Sequence, residues 1–382
     1  MSQISGPLAV DAGEQSTGPA DGDGSLYFAS QRRLIIRRFR RHRLAVLGTV
    51  VVALIYLVAL FAEFLAPGVP DSSDARYAYA PPQRLHLFDG GRLDPHVYGY
   101  QTRVNDETLE RSYVPDRAQK IDVGFFVRGE PYQLWGLIGS DIHLVGPVQR
   151  DAPFHLMGAD RQGRDVLTRT IYGARISMSI GLVGVGLSVI LGILLGGASG
   201  YYGGRVDTLV QRLIEFFMAI PSIPLWLGLA AALPPSWGPV QTYLGITVIL
   251  SLISWTDLAR VVRGRFLSLR SEDFVLAAEL DGIGKPRIIV RHMLPSFASH
   301  IIASLTLAIP AMILAETALS FLGLGLQAPA VSWGVLLQEA QNIRALATAP
   351  WLLFPGVAVV IAVLALNFAG DGLRDSADPY GS

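Results

Sequence analysis

Side chains able to do chemistry are sparse in this chain, and few are spaced to act together. It has no cysteine, which removes disulfides, thiol nucleophiles and cysteine metal sites, and its seven histidines are scattered without metal-ligand spacing. No Gly-x-x-x-x-Gly-Lys-Ser/Thr loop occurs, so a phosphate cradle of that kind is absent from the sequence. The densest charged cluster, Asp160, Arg164 and Asp165, is weak as an acid–base site and reads better as an ion-paired helix start at a membrane surface. Glu215, Asp257 and Glu316 fall on three different predicted spans. A membrane-embedded hydrolase would need an acid paired with a base, or a metal cluster, at one depth, and the sequence supplies no such partner. An ionisable group in or near hydrocarbon is costly and marks a functional candidate. For Glu316, close to the outer end of its span, a structural hydrogen bond is the favoured reading.

These groups sit in an apolar background. At 51% hydrophobic and 16% charged over 382 residues, the chain falls short of the roughly one quarter charged residues of soluble domains and reads as an all-α integral membrane protein. A net charge of zero argues neither for nor against nucleic acid, so the distribution of charge carries the information. Residues 1–27 have almost no large apolar side chains, a composition that predicts a disordered cytoplasmic tail. From Phe28 to Arg43, seven arginines accompany Leu34, Ile35, Ile36 and Phe39, which predicts a basic helix on the membrane surface; a nucleic-acid patch is the alternative. Leu44–Leu65, with Glu63 its only charge, is long enough to cross about 30 Å of hydrocarbon. It is too long for a secretory h-region and lacks a small-residue cleavage site, so residues 28–66 are predicted to end in a retained anchor. The arginines before it place the N-terminus in the cytoplasm.

Residues 67–155 form a polar insert on the outer side, containing Phe125, Phe126, Tyr132 and Trp135. Ile121–Val127 and Tyr132–Ile138 are predicted strands of a small β-rich subdomain, either a packed decoration or a functional cover for the pore mouth. The membrane core, 156–372, holds five further predicted spans, at about 176–198, 208–233, 240–258, 297–319 and 351–369. Glycines at 181, 184, 186, 192, 196 and 197 allow the second span to approach its neighbours closely. Pro221 and Pro224 would kink the third, which pathways exploit and ordinary bundles tolerate. Arg260, Arg263, Arg265 and Arg270 put the segment after the fourth span in the cytoplasm. Ser332–Gln341 reads as a short amphipathic helix, and 373–382 as a polar cytoplasmic tail. Six spans leave both termini inside.

Ser271–Pro295 is a polar interruption between the fourth and fifth spans. Phe274, Val275, Ala277, Ala278 and Leu280 give a first helix an apolar face, and Gly282 and Gly284 break it. Pro286 opens a second helix carrying Arg287 to Met293, and Pro295 is predicted to stop it. A helix-turn-helix hung between spans is a docking element. The spacing of Ala277-Ala278, Gly282 and Leu294-Pro295 resembles the permease signature of ATP-driven bacterial importers, with Leu276 and His292 where that pattern has Glu and Ile. The set Gly158, Asp160, Gly163, Arg164, Asp165 and Gly173 to Arg175, the turn Gly200–Asp207 and the run Ala315–Pro329 are similar to the dipeptide and oligopeptide branch.

That resemblance runs from about Leu44 to Tyr380 outside the insert. It implies the six-span fold of type I importer permeases and one half of a transmembrane pore in the bacterial inner membrane, of the second-permease type and without catalysis of its own. The implied partners are a second related permease, two ATPase subunits holding ATP and Mg, an extracytoplasmic substrate-binding protein and membrane lipid, with no nucleic acid and no cofactor or metal in this chain. Phe274, Ala277, Ala278, Gly282, Arg287, Leu294 and Pro295 would couple to the ATPase, and Pro221, Pro224 and Glu316 are pathway candidates. Peptides are the substrates implied first; nickel complexes and oligosaccharides are carried by similar permeases. An ion-coupled transporter, working alone on an ion gradient, is the remaining alternative.

Overall fold

Backbone N–H and C=O groups cannot be left unpaired in hydrocarbon, so apolar runs of about 20 residues cross it as long helices. The computed structural model describes residues 31–104, 111–150 and 152–377; the predicted tail 1–27 and the last residues, 378–382, lie outside the described residues. Helices α1 (Gln31–Arg41) and α2 (Arg43–Leu60) meet at His42, whose Nδ1 caps α2 by accepting from the Ala45 N–H at 3.1 Å. The first apolar run does not continue straight to Leu65. It breaks at Phe61 and ends in the single turn α3 (Ala62–Leu65), where the Glu63 carboxylate is buried and accepts two bonds from Arg175 at 2.7 and 2.6 Å.

The insert carries a four-stranded antiparallel meander of β1 (His86–Asp89), β2 (Arg92–Val104), β3 (Arg111–Leu134) and β4 (Ile138–Pro147). β3 serves two neighbours: its first half, to Asp122, pairs with β2 and its second half, from Val123, pairs with β4. The predicted strand Ile121–Val127 lies within it. Tyr132–Ile138 is not one strand, because the chain reverses at Trp135–Leu137 with Trp135 at φ +53° and Gly136 at φ +70°. Alternation does not reveal a reversal whose turn is itself apolar.

Beyond the insert, α4 (Val166–Tyr202) and α7 (Pro239–Leu269) have 37 and 31 residues. At 1.5 Å per residue they span about 55 and 46 Å, more than the roughly 30 Å of hydrocarbon, so both project out of the bilayer. Their backbones approach closely: a Cβ on Gly196 would strike the Ala259 carbonyl, and one on Gly200 would lie 2.7 Å from that of Arg263. The third predicted span is bent. α5 (Gly204–Ala219) and α6 (Ser222–Ala231) meet at 88°, because the ring of Pro221 disfavours helical geometry in the residue before it and Ile220 is extended, at φ −96° and ψ 128°. Pro224 sits in the first turn of α6, where no intrahelical N–H is needed.

The chain continues through α8 (Asp273–Leu280), α9 (Lys285–Ile288), a π-turn at Ile289–Met293, α10 (Leu294–Ser296), α11 (Ala298–Phe321), α12 (Trp333–Gln338), α13 (Ile343–Thr348) and α14 (Phe354–Ala377). Among the described residues five helical stretches are long and apolar enough to cross a membrane, and the α5–α6 pair makes a sixth if counted as one span. α12 is not a surface helix: Trp333, Gly334 and Val335 are buried, and the Trp333 indole donates to the Thr170 carbonyl at 2.9 Å. α14 continues into the predicted tail, because Gly372 lies against Ala45 and Ser376 is buried. The main core joins α4, α7 and α11 through Ile180, Val185, Leu250, Met312 and Leu319.

The glycines of α4 differ in what they face. Gly186 has open space where a Cβ would stand, whereas Gly196 has the α7 backbone. Gly196→Val is expected to lower stability by about 1–3 kcal/mol through overpacking, and Gly186→Val to cost well under half of that; thermal unfolding of the two variants in one detergent checks the difference.

Candidate coupling segment and membrane cavity

The segment after α7 folds back onto the ends of the long helices. α8 opens on Asp273, an acidic residue suited to a helix N-terminus. Val275 and Ala278, one turn apart, are buried against Tyr201, Val262, Phe266, Ile288, Met293 and Phe297. The expected apolar face is therefore split. Phe274, Leu276, Ala277 and Leu280 are exposed, Leu280 by 89%, while Ala278 is small because its own chain lies against it. Gly282 has φ +73° with nothing of this chain within 4 Å of a Cβ position, so backbone conformation alone favours glycine there, at about 1 kcal/mol or more for other residues.

The second half of the segment departs from expectation at Pro295, which does not end the helix. The helical path runs through Leu294–Ser296 and breaks at Phe297, at φ −127° and ψ 21°. The π-turn just before it widens the backbone and leaves room for a proline ring that an α-turn would not accommodate. Arg287 and Pro295 are exposed and Leu294 is half-buried. Side chains fasten the segment to its base: the Tyr201 hydroxyl donates to Glu279 at 2.5 Å, and Lys285 Nζ lies 5.6 Å from the centre of the Tyr202 ring. Below them Asp207 accepts from Arg263 at 2.5 and 2.7 Å and from the Ser199 hydroxyl at 2.5 Å, tying α4, α5 and α7 together.

A cavity of about 600 Å³ opens between α4, α7, α11 and the α5–α6 bend. Of the three predicted pathway residues, Pro221 lines it together with Phe217, Met218, Trp226, Asp257 and Met312; Pro224 and Glu316 are not part of its wall. Trp226 was not singled out by sequence; its Nε1 is buried without a hydrogen-bond partner. Sequence could have marked it only as one aromatic in an apolar run.

Glu316 is a structural hub. Its side chain is fully buried and accepts from Ser320 and Ser332 at 2.8 Å each, with Ser177 at 3.5 Å. Ser177 also accepts from the Trp333 N–H at 3.1 Å, and Ser332 caps α12 through the Val335 N–H at 3.2 Å. One carboxyl thus joins α4, α11 and α12. The Ser320 contact at i+4 is readable from sequence; Ser177 and Ser332 are not. The other two carboxylates raised as hydrolase candidates pair locally, Glu215 with Arg212 at 2.8 Å and Asp257 with Arg260 at 2.6 Å. The Asp160 cluster is an ion-paired helix entry, with Arg164 Nε donating to Asp160 at 2.7 Å and Asp165 capping α4 through the Thr168 N–H at 2.7 Å.

Apolar spans around a cavity, interrupted by a helical segment with an exposed apolar face, define a membrane transport component. The chain belongs to the family described as binding-protein-dependent transport system inner membrane component, which matches residues 188–380. It is a multi-pass inner-membrane protein with the type I importer permease fold. A second match, the N-terminal TM domain of oligopeptide transport permease C, covers residues 30–82. The chain is 40% identical over 226 residues to the dipeptide transport system permease protein DppC of Alkalihalophilus pseudofirmus, covering 59% of this chain and 72% of that protein. It is 39% identical over 241 residues to the oligopeptide transport system permease protein OppC of Haemophilus influenzae, covering 63% and 75% respectively. A solved structure titled as inward facing conformations of the MetNI methionine ABC transporter is 18% identical, with a TM-score of 0.43 over 54% of this chain and 95% of that one.

Removing the Glu316 carboxyl leaves buried hydroxyls without their acceptor. Glu316→Ala is expected to cost about 1–3 kcal/mol and Glu316→Gln, which keeps an acceptor for Ser320 and Ser332, less than half as much. Because glutamine matches glutamate in volume, equal losses in a denaturant unfolding series would show that a single amide acceptor does not replace the carboxyl.

Proposed function

We propose that this chain forms one half of the translocation pathway of an ATP-driven importer of dipeptides or oligopeptides and couples to separate ATPase subunits. The observation that carries the reading is α8, a helix hung between two spans that presents Phe274, Leu276, Ala277 and Leu280 to its surroundings while Val275 and Ala278 hold it to its own chain. Water does not favour such a face, and its position beside the Ala277-Ala278, Gly282, Leu294-Pro295 signature makes an ATPase surface its partner. Relatives named as dipeptide and oligopeptide permeases support the substrate class.

In this reading a second, related permease completes the pore. Two ATPase subunits bind ATP and Mg, a binding protein delivers substrate from outside, and this chain is non-catalytic. Both termini and the 271–295 segment are cytoplasmic, the 67–155 insert is external, and residues 156–372 form the transport core. ATPase closure pulls on the α8–α10 segment, which is fastened to α4 by Tyr201 and to the entry of α11 by Phe297. The pull reaches the cavity at the Pro221 bend through α4 and α7. Phe274, Ala277, Gly282, Arg287, Leu294 and Pro295 form or shape the docking surface, and Ala278 sets how closely α8 lies on its support.

The test uses positions that face away from the chain's own core. Ala277→Arg and Leu280→Arg are expected to leave the chain inserted and paired with its sister permease but to lower substrate-stimulated ATP hydrolysis at least tenfold, because a charge enters a buried contact without a partner. Ala278→Arg is expected to unfold the segment itself and so to reduce expression as well. Wild-type stimulation in the Ala277 and Leu280 variants of the reconstituted transporter would place the ATPase contact elsewhere.

A further inference from the structure

Two reversals of the insert's sheet, among the described residues, differ in chemistry. β1 and β2 reverse through Gly90-Gly91 between Asp89 and Arg92, residues suited to a solvated turn. β3 and β4 reverse through Trp135-Gly136-Leu137, where Leu137 is 83% exposed, Ile138 56% and Trp135 45%. Nearby on β3, Phe126 is 66% exposed, and both Phe126 and Trp135 hold φ +53°, uncommon for large side chains.

This second reversal is fastened to the end of a membrane-spanning helix. Trp135 Nε1 donates to the Leu60 carbonyl at 2.7 Å, the Trp135 ring lies 5.7 Å from that of Phe61, and Phe126 lies 6.1 Å from Phe64. Leu60 ends α2, where carbonyls lack intrahelical donors, and Arg175 supplies the neighbouring Ala59 carbonyl at 3.1 Å. The turn therefore sits at the level where α2 leaves the hydrocarbon. Among the five single-helix spans, α2 is also the one least enclosed by the rest of the chain. An apolar turn continuous with an outward-facing span, with a tryptophan whose N–H is already paired, has the composition of a membrane-interface anchor.

We propose that the β3–β4 reversal, Trp135 to Ile138 with Phe126 beside it, is seated in the bilayer interface at the C-terminal end of α2. Lipid is the occupant because the patch is continuous with the exposed face of α2. The sheet is then held to the membrane by its turn as well as by its chain connections, which fixes how the insert stands over the core. Residues 83–187, which include the sheet, lie between the two stretches matched by family descriptions.

The absence of native cysteine allows single-site labelling of the full chain. Leu137→Cys, Ile138→Cys and, as a solvent-facing control in the β2-paired half of β3, Arg117→Cys would each carry an environment-sensitive fluorophore in nanodiscs. Emission at Leu137 and Ile138 is expected to be blue-shifted relative to Arg117 and to fall at least twofold when the nanodisc lipids are replaced by lipids brominated near the headgroup, with no change at Arg117. Aqueous emission without quenching at both positions overturns the proposal. Shielding that appears only on adding a soluble binding protein, and never with brominated lipid, also overturns it and makes the patch a protein-docking surface.

Discussion

Each place where a helix stops inside or beside an apolar environment frees backbone groups that must find new partners, and this requirement organises the molecule. Where α2 ends at Leu60, Trp135 and Arg175 supply donors. Where α11 gives way to the loop before α12, Ser320 and Ser332 take up backbone N–H groups at Leu326 and Val335 and are themselves held by Glu316. Where α5 stops at Ile220, proline residues stand at positions that have no N–H to lose. The breaks are where the chain departs from a plain bundle, and the cavity, the segment with the exposed face and the insert each adjoin one.

Close backbone contact supplies the rigidity between those breaks. The glycines of α4 let α7 approach until its carbonyls stand where side chains would otherwise be, so the two longest helices behave as one unit. The Asp207–Arg263 pair and the Tyr201–Glu279 bond tie the ends of these helices to α5 and α8. The 88° bend between α5 and α6 lies on the cavity wall.

The membrane class, the approximate number of spans, the basic entry helix and the site of the Ser271–Pro295 interruption were legible in the sequence, because each rests on local composition or on glycine and proline, whose backbone effects do not depend on neighbours. Gly282 at a positive φ and the turn from α8 into α9 follow from that local chemistry. What burial decided was not legible. Ala277 and Ala278 are identical in type and adjacent, yet one is exposed and the other is buried in the cluster that includes Ile288 and Met293, a difference set by the direction of α8 over its support. Glu316 shows the same division. Its cost in an apolar run is a sequence property, but its three serine partners come from positions 177, 320 and 332, and only the crossing of α4, α11 and α12 brings them to one point. The turn at Trp135 was hidden because apolar residues there read as strand, and it becomes intelligible only beside the end of α2.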